Sequence, residues 1–507
     1  MLRPFAILPL LLLSSLPSTA ANQCGPEVKP STDSTFWNGW GGDSSNSRSQ
    51  PATMVGKLSA GTVPKLKLAW AFGVPGAKTM AGQPSVVGGV VYFGSEDGTI
   101  YALDAHTGCE YWTFKADATV RTAITVAAIQ SGRYALLFGD IKAQVYALDI
   151  PTRKLRWKTK VDEHAWARIT GAPKLWEGRL YVPVSSNEEV PAGNRKYECC
   201  TFRGSVVALD EETGKVIWKT YTIAEAPKPT AKSPDGVQFH GPNGGAVWSS
   251  PTIDARRKSL YVATGNGYTP PAAATTDSIV ALDLATGALK WSRQLASDDY
   301  WTFGCTGSRN ASCPGDNGPD FDIGASPILW RNDHILVGQK SGTVTALDAN
   351  ANGKIVWQTP VGKGSALGGI LWGMAADDRA LYVPLSDQIG PAPGGLFALD
   401  PATGRQLWST LPSPRAAQAA AATAIRGVVF SGDMNGRLRA YSSTTGEVIW
   451  LNETAREYET VNGVTARGGA ISGPGPVVAE SMVFAGSGYG IFGGRPGNVL
   501  LAFSLAE

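Results

Sequence analysis

Hydrophobic and polar residues alternate in short runs along almost the whole chain, and the runs end at glycine-rich turns. Residues 88–112, "GGVVYFGSEDGTIYALDAHTGCEYW", show one full cycle. "VVYF" reads as a strand, Glu96-Asp97-Gly98 as a tight turn and "TIYALD" as a second strand. An Asp-x-x-Thr-Gly turn then leads into a last strand ending at Trp112. Period-two alternation bounded by turn residues marks half-buried strands. The aspartate and threonine can bond their own turn backbone, and glycine supplies a positive φ.

The cycle recurs. An Ala-Leu-Asp strand, a turn and a closing tryptophan end at Trp112, Trp157, Trp218, Trp291, Trp357, Trp408 and Trp450, and a degenerate copy, "AGTVPKLKLAW", ends at Trp70. The eight tryptophans are spaced by 42 to 73 residues, with the shortest intervals at the two ends. A four-stranded unit of about 42 residues is the size of a propeller blade. The expected fold is therefore all-β: an eight-bladed β-propeller, one domain over residues 22–507, with a tryptophan packed between each pair of blades. The tail, "MVFAGSGYG" to "NVLLAFSLAE", has no closing tryptophan, so the strand ending at Trp70 should complete the last sheet. Extra residues at 183–203, 222–248, 265–278 and 297–322 fall between strands and are expected as loops on one face. Loops on a rigid scaffold are where sites are built.

Composition narrows the function. The 60 glycines and 17% charged residues fit short strands and tight turns. Lys+Arg is 45 against Asp+Glu 42 with no basic block, which argues against a nucleic-acid surface or an anionic-membrane surface. Arg3, an apolar run from Phe5 to Leu13 and small residues at 18–21 read as a secretory leader over residues 1–21, too short to span a bilayer. No other segment is long and apolar enough for stable membrane insertion, and Cys24 follows Asn22-Gln23 rather than a lipid-attachment context. A secreted or periplasmic protein keeps its cysteines in an oxidising space, where they pair. Cys305 and Cys313 bracket "CTGSRNASC" and read as a local staple; Cys24 and Cys109 are then left for each other, a pairing that spacing alone leaves open. Cys199 and Cys200 stand side by side in "KYECCTFRG". A bond between them closes almost no loop, so its use must be local; two reduced thiols or a metal-binding pair are the alternative.

The blade repeat resembles that of the quinoprotein alcohol dehydrogenases, eight-bladed propellers that hold pyrroloquinoline quinone (PQQ) and calcium on the axis. "WNGWGGDSSNSRSQPA", "YECCTFRGSVVALD" and "GPDFDIGASPIL" are similar to the polyvinyl alcohol dehydrogenase branch, and the likeness runs from Phe36 to the end. The resemblance implies calcium ligands at Glu188, with Glu189 the neighbouring candidate, at Asn266 and at Asp322. It implies PQQ contacts from Arg121, Thr170, Ser185, Lys340 and Trp248, the last as the floor under the flat ring, and a Cys199–Cys200 ring against the opposite face. Asp322 would be the base that takes the hydroxyl proton, with Asp320 as its competitor, and Lys340 would stabilise charge on the quinone oxygens. Taken alone, each of these is an ordinary loop acid, turn asparagine or packed tryptophan; their convergence near strand ends of successive long units makes the site. Two departures stand out. No cysteine starts a Cys-x-x-Cys-His haem segment, so electrons would pass to an external acceptor such as a soluble cytochrome c or a quinone. Leu371 stands where methanol-oxidising relatives have a PQQ-contacting asparagine. The expected activity is oxidation of an alcohol, secondary or polymeric, to its carbonyl. The rival expectation is a non-catalytic scaffold of the outer-membrane assembly type.

Overall fold

The computed structural model describes residues 22–25, 36–129, 132–307, 309–315, 318–388 and 393–506; the leader expected at 1–21 lies outside the described residues. Eight sheets follow one another along the chain, each built on four antiparallel strands. Blade 1 is Ser85–Val87, Val90–Gly94, Thr99–Asp104 and Glu110–Lys115. Blades 2 to 7 repeat this order and carry Trp157, Trp218, Trp291, Trp357, Trp408 and Trp450 on their fourth strands. Blade 8 takes three strands from the C-terminal part and its fourth, Leu66–Gly73, from the N-terminal part, with Leu66 opposite Leu505 and Gly73 opposite Val499. The ring is thus closed by pairing the two ends of the chain, as the missing last tryptophan implies.

The tryptophan and the Thr-Gly turn of the repeat are two halves of one joint. Trp70 Nε1 donates to Ala105 O of blade 1 at 3.0 Å, Trp157 to Glu211 O of blade 3 at 2.9 Å, and Trp408 to Ser443 O of blade 7 at 3.0 Å. The threonine two residues after the tryptophan adds a second tie: Thr159 Oγ1 donates to Gly214 O and Thr359 Oγ1 to Gly404 O, each at 2.7 Å. Gly214 has φ 68°, and a Cβ on it would lie 2.5 Å from the Trp157 ring. The repeat glycine therefore serves both the turn and the close approach of the indole. Gly214→Ala is expected to lose about 2–3 kcal/mol, while Gly178→Ala, where φ is 74° but no atom stands within 4 Å, loses only the backbone part of about 1 kcal/mol. Thermal midpoints of the two variants measure the difference; equal losses would remove the indole contact from the explanation.

Residues 37–50, the "WNGWGGDSSNSRSQ" stretch, circle the axis and touch the first strand of every blade in turn. Trp37 pairs with Val86, Asn38 with Val126, Trp40 O and Asp43 O accept from Lys174, and Ser44 O accepts from Ile253 N. Ser45 O, Ser47 O and Arg48 O then accept from Leu329, Ala376 and Ala424, and Gln50 Nε2 donates to Val478 O. Arg48, 1% exposed, ends the circuit with bonds to Ala422 O, Gln83 Oε1, Thr423 Oγ1, Pro474 O and Pro476 O. Burial lowers its pKa to about 9. This collar fills the axis beneath the site.

Connections between second and third strands, and from one blade to the next, emerge on the same face of antiparallel blades. The four insertions are all of this kind: 187–204 in blade 3, 222–251 between blades 3 and 4, 264–277 in blade 4 and 295–327 between blades 4 and 5. Two details differ from the sequence reading. The strand Arg179–Ser186 runs three residues beyond Pro183, and the 222–251 connection contains its own hairpin, Lys228–Lys232 with Gln238–Gly241.

Candidate active site

On the axis at the long-loop face lies a cavity of about 260 Å³, walled by side chains from these insertions and from the same-face connections of the other blades. Trp248, in the connection from blade 3 to blade 4, lies against Gly324, where a Cβ would come within 1.9 Å of its ring, so only glycine lets the indole settle there. It meets Trp372 edge to face with ring centroids 5.4 Å apart. Below the two indoles a void of about 30 Å³ separates them from Trp40 of the collar.

One wall is acidic and organised by a lysine. Lys340 Nζ donates to Asp322 Oδ2 at 2.8 Å and to Asp320 Oδ1 at 3.1 Å, and stands 5.7 Å from the centre of the Trp248 ring. Asp322 Oδ1 accepts from Asn266 N at 2.6 Å. Asn266 gives its own amide hydrogens to Gly267 O and Trp301 O, which leaves Oδ1 as its ligating atom. Burial works to lower the Lys340 pKa, but Asp320 and Asp322 outweigh it and hold the ammonium charged. One ammonium serves two carboxylates; burial, with the charge of Asp322, therefore raises Asp320 well above its ordinary range. Glu189 also lines the cavity, and burial followed by repulsion from Asp322 pushes its pKa up to about 7.

The rest of the wall is cationic, hydroxylic and aromatic. Arg121 stands over Trp372 at 5.2 Å, Thr170 Oγ1 and Ser185 Oγ are 2.8 Å apart, and Ser185 donates to Arg168 O. Arg168 is held near Arg121, and its Nε is buried without a hydrogen-bond partner. Leu371 lines the cavity as the sequence placed it, beside Trp372. Tyr268, Trp301 and Phe303 complete an apolar rim.

Of the residues expected from sequence, Arg121, Thr170, Ser185, Trp248, Asn266, Asp322 and Lys340 line this one cavity, and Asp320 with them. Three do not. Glu188 is 1% exposed and faces the other way: Oε1 accepts from Tyr197 OH and Thr201 N, both at 3.0 Å, and Oε2 from Phe202 N at 2.9 Å. Its oxygens are consumed folding the 187–204 loop, and Glu189 takes the place at the wall. That fold also carries Cys199 and Cys200 away from the cavity. They are bonded to each other across a cis peptide, with Cα atoms 3.1 Å apart rather than at the trans spacing, and are wholly buried among Ile169, Val184, Phe202 and Phe239. The ring supports the loop that holds Glu188 and packs in one cluster with Ala246 and Tyr268, which line the cavity, without lining it itself. The other cysteines pair as expected, Cys24 with Cys109 and Cys305 with Cys313.

Sequence reasoning did not single out Arg168, Asp277, Asp299 or Trp372. Arg168 is two residues before Thr170, and that closeness in sequence was the one available signal. Asp277 is wholly buried with neither carboxylate oxygen hydrogen-bonded, and burial, with Asp322, Asp299 and Asp320 adding to it, raises its pKa well above the usual range.

A profile described as outer membrane protein assembly factor BamB matches residues 53–228 and 275–505, and one described as the β-propeller domain of glucose, ethanol and alcohol dehydrogenases matches 220–306. The first spans the blades but omits the segment carrying Trp248 and Asn266, which the second includes. Polyvinylalcohol dehydrogenase of a Pseudomonas species is 42% identical over 95% of this chain and 79% of its own length. The Sphingopyxis enzyme of that name is 41% identical over 92% and 76%. The quinohemoprotein alcohol dehydrogenase of Comamonas testosteroni shares the fold, with a TM-score of 0.67 and 21% identity over 93% of this chain and 81% of that one. With an alcohol dehydrogenase profile over the cavity wall and these identities over nearly its full length, the chain belongs to the polyvinyl alcohol dehydrogenase branch of the PQQ-type alcohol dehydrogenases.

Proposed function

We propose that this oxidoreductase is an exported, PQQ- and calcium-dependent dehydrogenase that oxidises the secondary hydroxyls of a polyvinyl-alcohol-like chain and passes the electrons to an external acceptor. The observation that carries the reading is the convergence of Asp322, Lys340, Asn266 and Glu189 beside Trp248 in one cavity. The donor chemistry fits both groups. Two guanidiniums, one with an orphaned Nε, suit the carboxylates of PQQ. Trp248 offers the flat apolar face its rings need. The cation donors are oxygens, and among the described residues no histidine or cysteine lines the cavity, which suits a hard ion. Among the described residues no three His, Cys, Asp or Glu side chains form a metal cluster by themselves. Glu189, Asn266 and Asp322 would thus supply part of the shell and the cofactor's oxygens the remainder.

Bound PQQ supplies the two-electron acceptor. The chain's own groups do the rest. Asp322, held by Asn266 N–H and Lys340, takes the hydroxyl proton. Lys340 keeps its proton and places a fixed positive charge where negative charge develops. Arg121, Arg168, Thr170 and Ser185 orient the cofactor, and Tyr268, Trp301 and Phe303 shield the reacting carbon from water. No helix among the described residues is long and apolar enough to cross a membrane.

Purified apoprotein is expected to bind PQQ, read as quenching of tryptophan fluorescence, only when calcium is added, and then to reduce an artificial dye with polyvinyl alcohol or a secondary alcohol. Equal binding in excess chelator, or no turnover with any alcohol once loaded, would defeat the proposal.

A further inference from the structure

The loops that bear Asn266, Glu189 and the Asp320–Asp322 turn meet on one short segment, Asp299–Phe303. Gly267 N donates to Asp299 O at 3.0 Å and Trp301 N to Gly267 O at 2.9 Å, which fixes the Asn266 loop. Asn266 Nδ2 donates to Trp301 O, Phe303 N donates to Glu189 O at 3.1 Å, and Gly318 N donates to Tyr300 O at 3.1 Å. The side chain of Asp299 does more than the backbone around it. Its Oδ1 accepts from Asp320 N at 3.0 Å and its Oδ2 from Phe321 N at 2.6 Å.

Asp299 is wholly buried. A buried carboxylate is costly unless its oxygens are bonded. Lys340, whose charge acts on Asp299, is already engaged by Asp320 and Asp322, and among the described residues the Asp320 and Phe321 amides donate to the Asp299 carboxylate. The neighbouring chain is shaped around it: a Cβ on Gly318 would come within 2.2 Å of Oδ1. Asp320, whose amide it holds, has φ 64°, a left-handed conformation that a side chain rarely adopts unless its surroundings fix it.

We propose that Asp299 is a positioning residue: its carboxylate pins the Asp320–Asp322 turn to the Asn266 loop and so holds the Asp322 carboxylate in reactive register with Lys340. The inference rests on the reading of Asp322 as the base. Asp299 is not among the residues that line the cavity. It acts through the backbone of the two residues before Asp322.

The test uses full-length protein loaded with PQQ and calcium, and the variants Asp299→Ala and Asp299→Asn. Hydrogen exchange of peptides spanning residues 318–324 reads the two amides directly, without reference to activity. In Asp299→Ala they are expected to exchange at least about tenfold faster, while peptides from the blade strands keep their protection. Turnover should fall about 10- to 100-fold, the cost of a misplaced reacting group, with KM for the alcohol within about threefold. Asp299→Asn keeps one acceptor and should lie between wild type and alanine in both readouts; it also serves if the alanine variant fails to fold. Unchanged exchange at 318–324, faster exchange there with unaltered turnover, or faster exchange throughout the propeller would each overturn the proposal. Failure of the base assignment shows separately, as full activity of Asp322→Asn with the exchange result intact.

Discussion

Asp322→Asn is expected to lower alcohol turnover by about two to four orders of magnitude, the usual worth of a general base, while PQQ and calcium still bind. The substitution keeps the size of the side chain. Its Oδ1 can still accept from Asn266 N, which is 2.6 Å away in the wild type; its new amide group is a donor and cannot accept from Lys340, whose ammonium keeps its bond to Asp320. What is lost is the capacity to take a proton, together with one bond to Lys340. Asp320→Asn is the control. Asp320 touches the same ammonium at 3.1 Å but lacks the tie to Asn266. Burial and Asp322 raise its pKa well above the ordinary range. Turnover of Asp320→Asn should therefore stay within about tenfold of wild type. Dye-linked assays of both proteins after reconstitution decide it: near wild-type turnover by Asp322→Asn, or a dead Asp320→Asn, would move the base to the other carboxylate.

The blades were legible because their signals are local and repeated. Alternation marks each strand, and Trp, Thr and Gly fall at fixed distances within each unit. Even the closing strand at Trp70 followed from the absence of a tryptophan in the tail. The second duty of Gly214 was not visible, because the Trp157 ring it accommodates lies 57 residues away in sequence. The site divides the same way. Asn266 and Lys340 sit just past strand ends, where the scaffold fixes their direction. Glu188 and Glu189 are neighbours with identical side chains, and what separates them is a bond from Glu188 to the amides of Thr201 and Phe202 at the far end of a loop. The same fold hides Cys199 and Cys200. Asp299 escaped notice for a related reason: it acts on residues 320 and 321 through a contact between two turns of an irregular connection.

That neighbouring pair of glutamates sets the other large expected effect. Glu189→Gln should weaken calcium-dependent retention of PQQ by about 100-fold or more, because a hard dication loses an anionic oxygen at the cavity wall. Glu188→Gln should leave calcium dependence within about threefold. Its cost falls on the fold instead: replacing a carboxylate that serves Tyr197 OH and the amides of Thr201 and Phe202 removes charge-assisted bonds worth about 2 kcal/mol, seen as a lower thermal midpoint. The pH dependence separates the two further. In the cation-free protein, burial and Asp322 raise the Glu189 pKa to about 7, so below that pH the cation must displace a proton to bind. Calcium affinity is then expected to rise about tenfold per pH unit up to about pH 7 and to level off above it, and in Glu189→Gln the remaining weak binding should lose this slope. Titration of tryptophan quenching against calcium at several pH values measures all of it. If Glu188→Gln is the variant that loses calcium dependence, or if wild-type affinity is flat between pH 5 and 7, Glu189 is not the cation ligand.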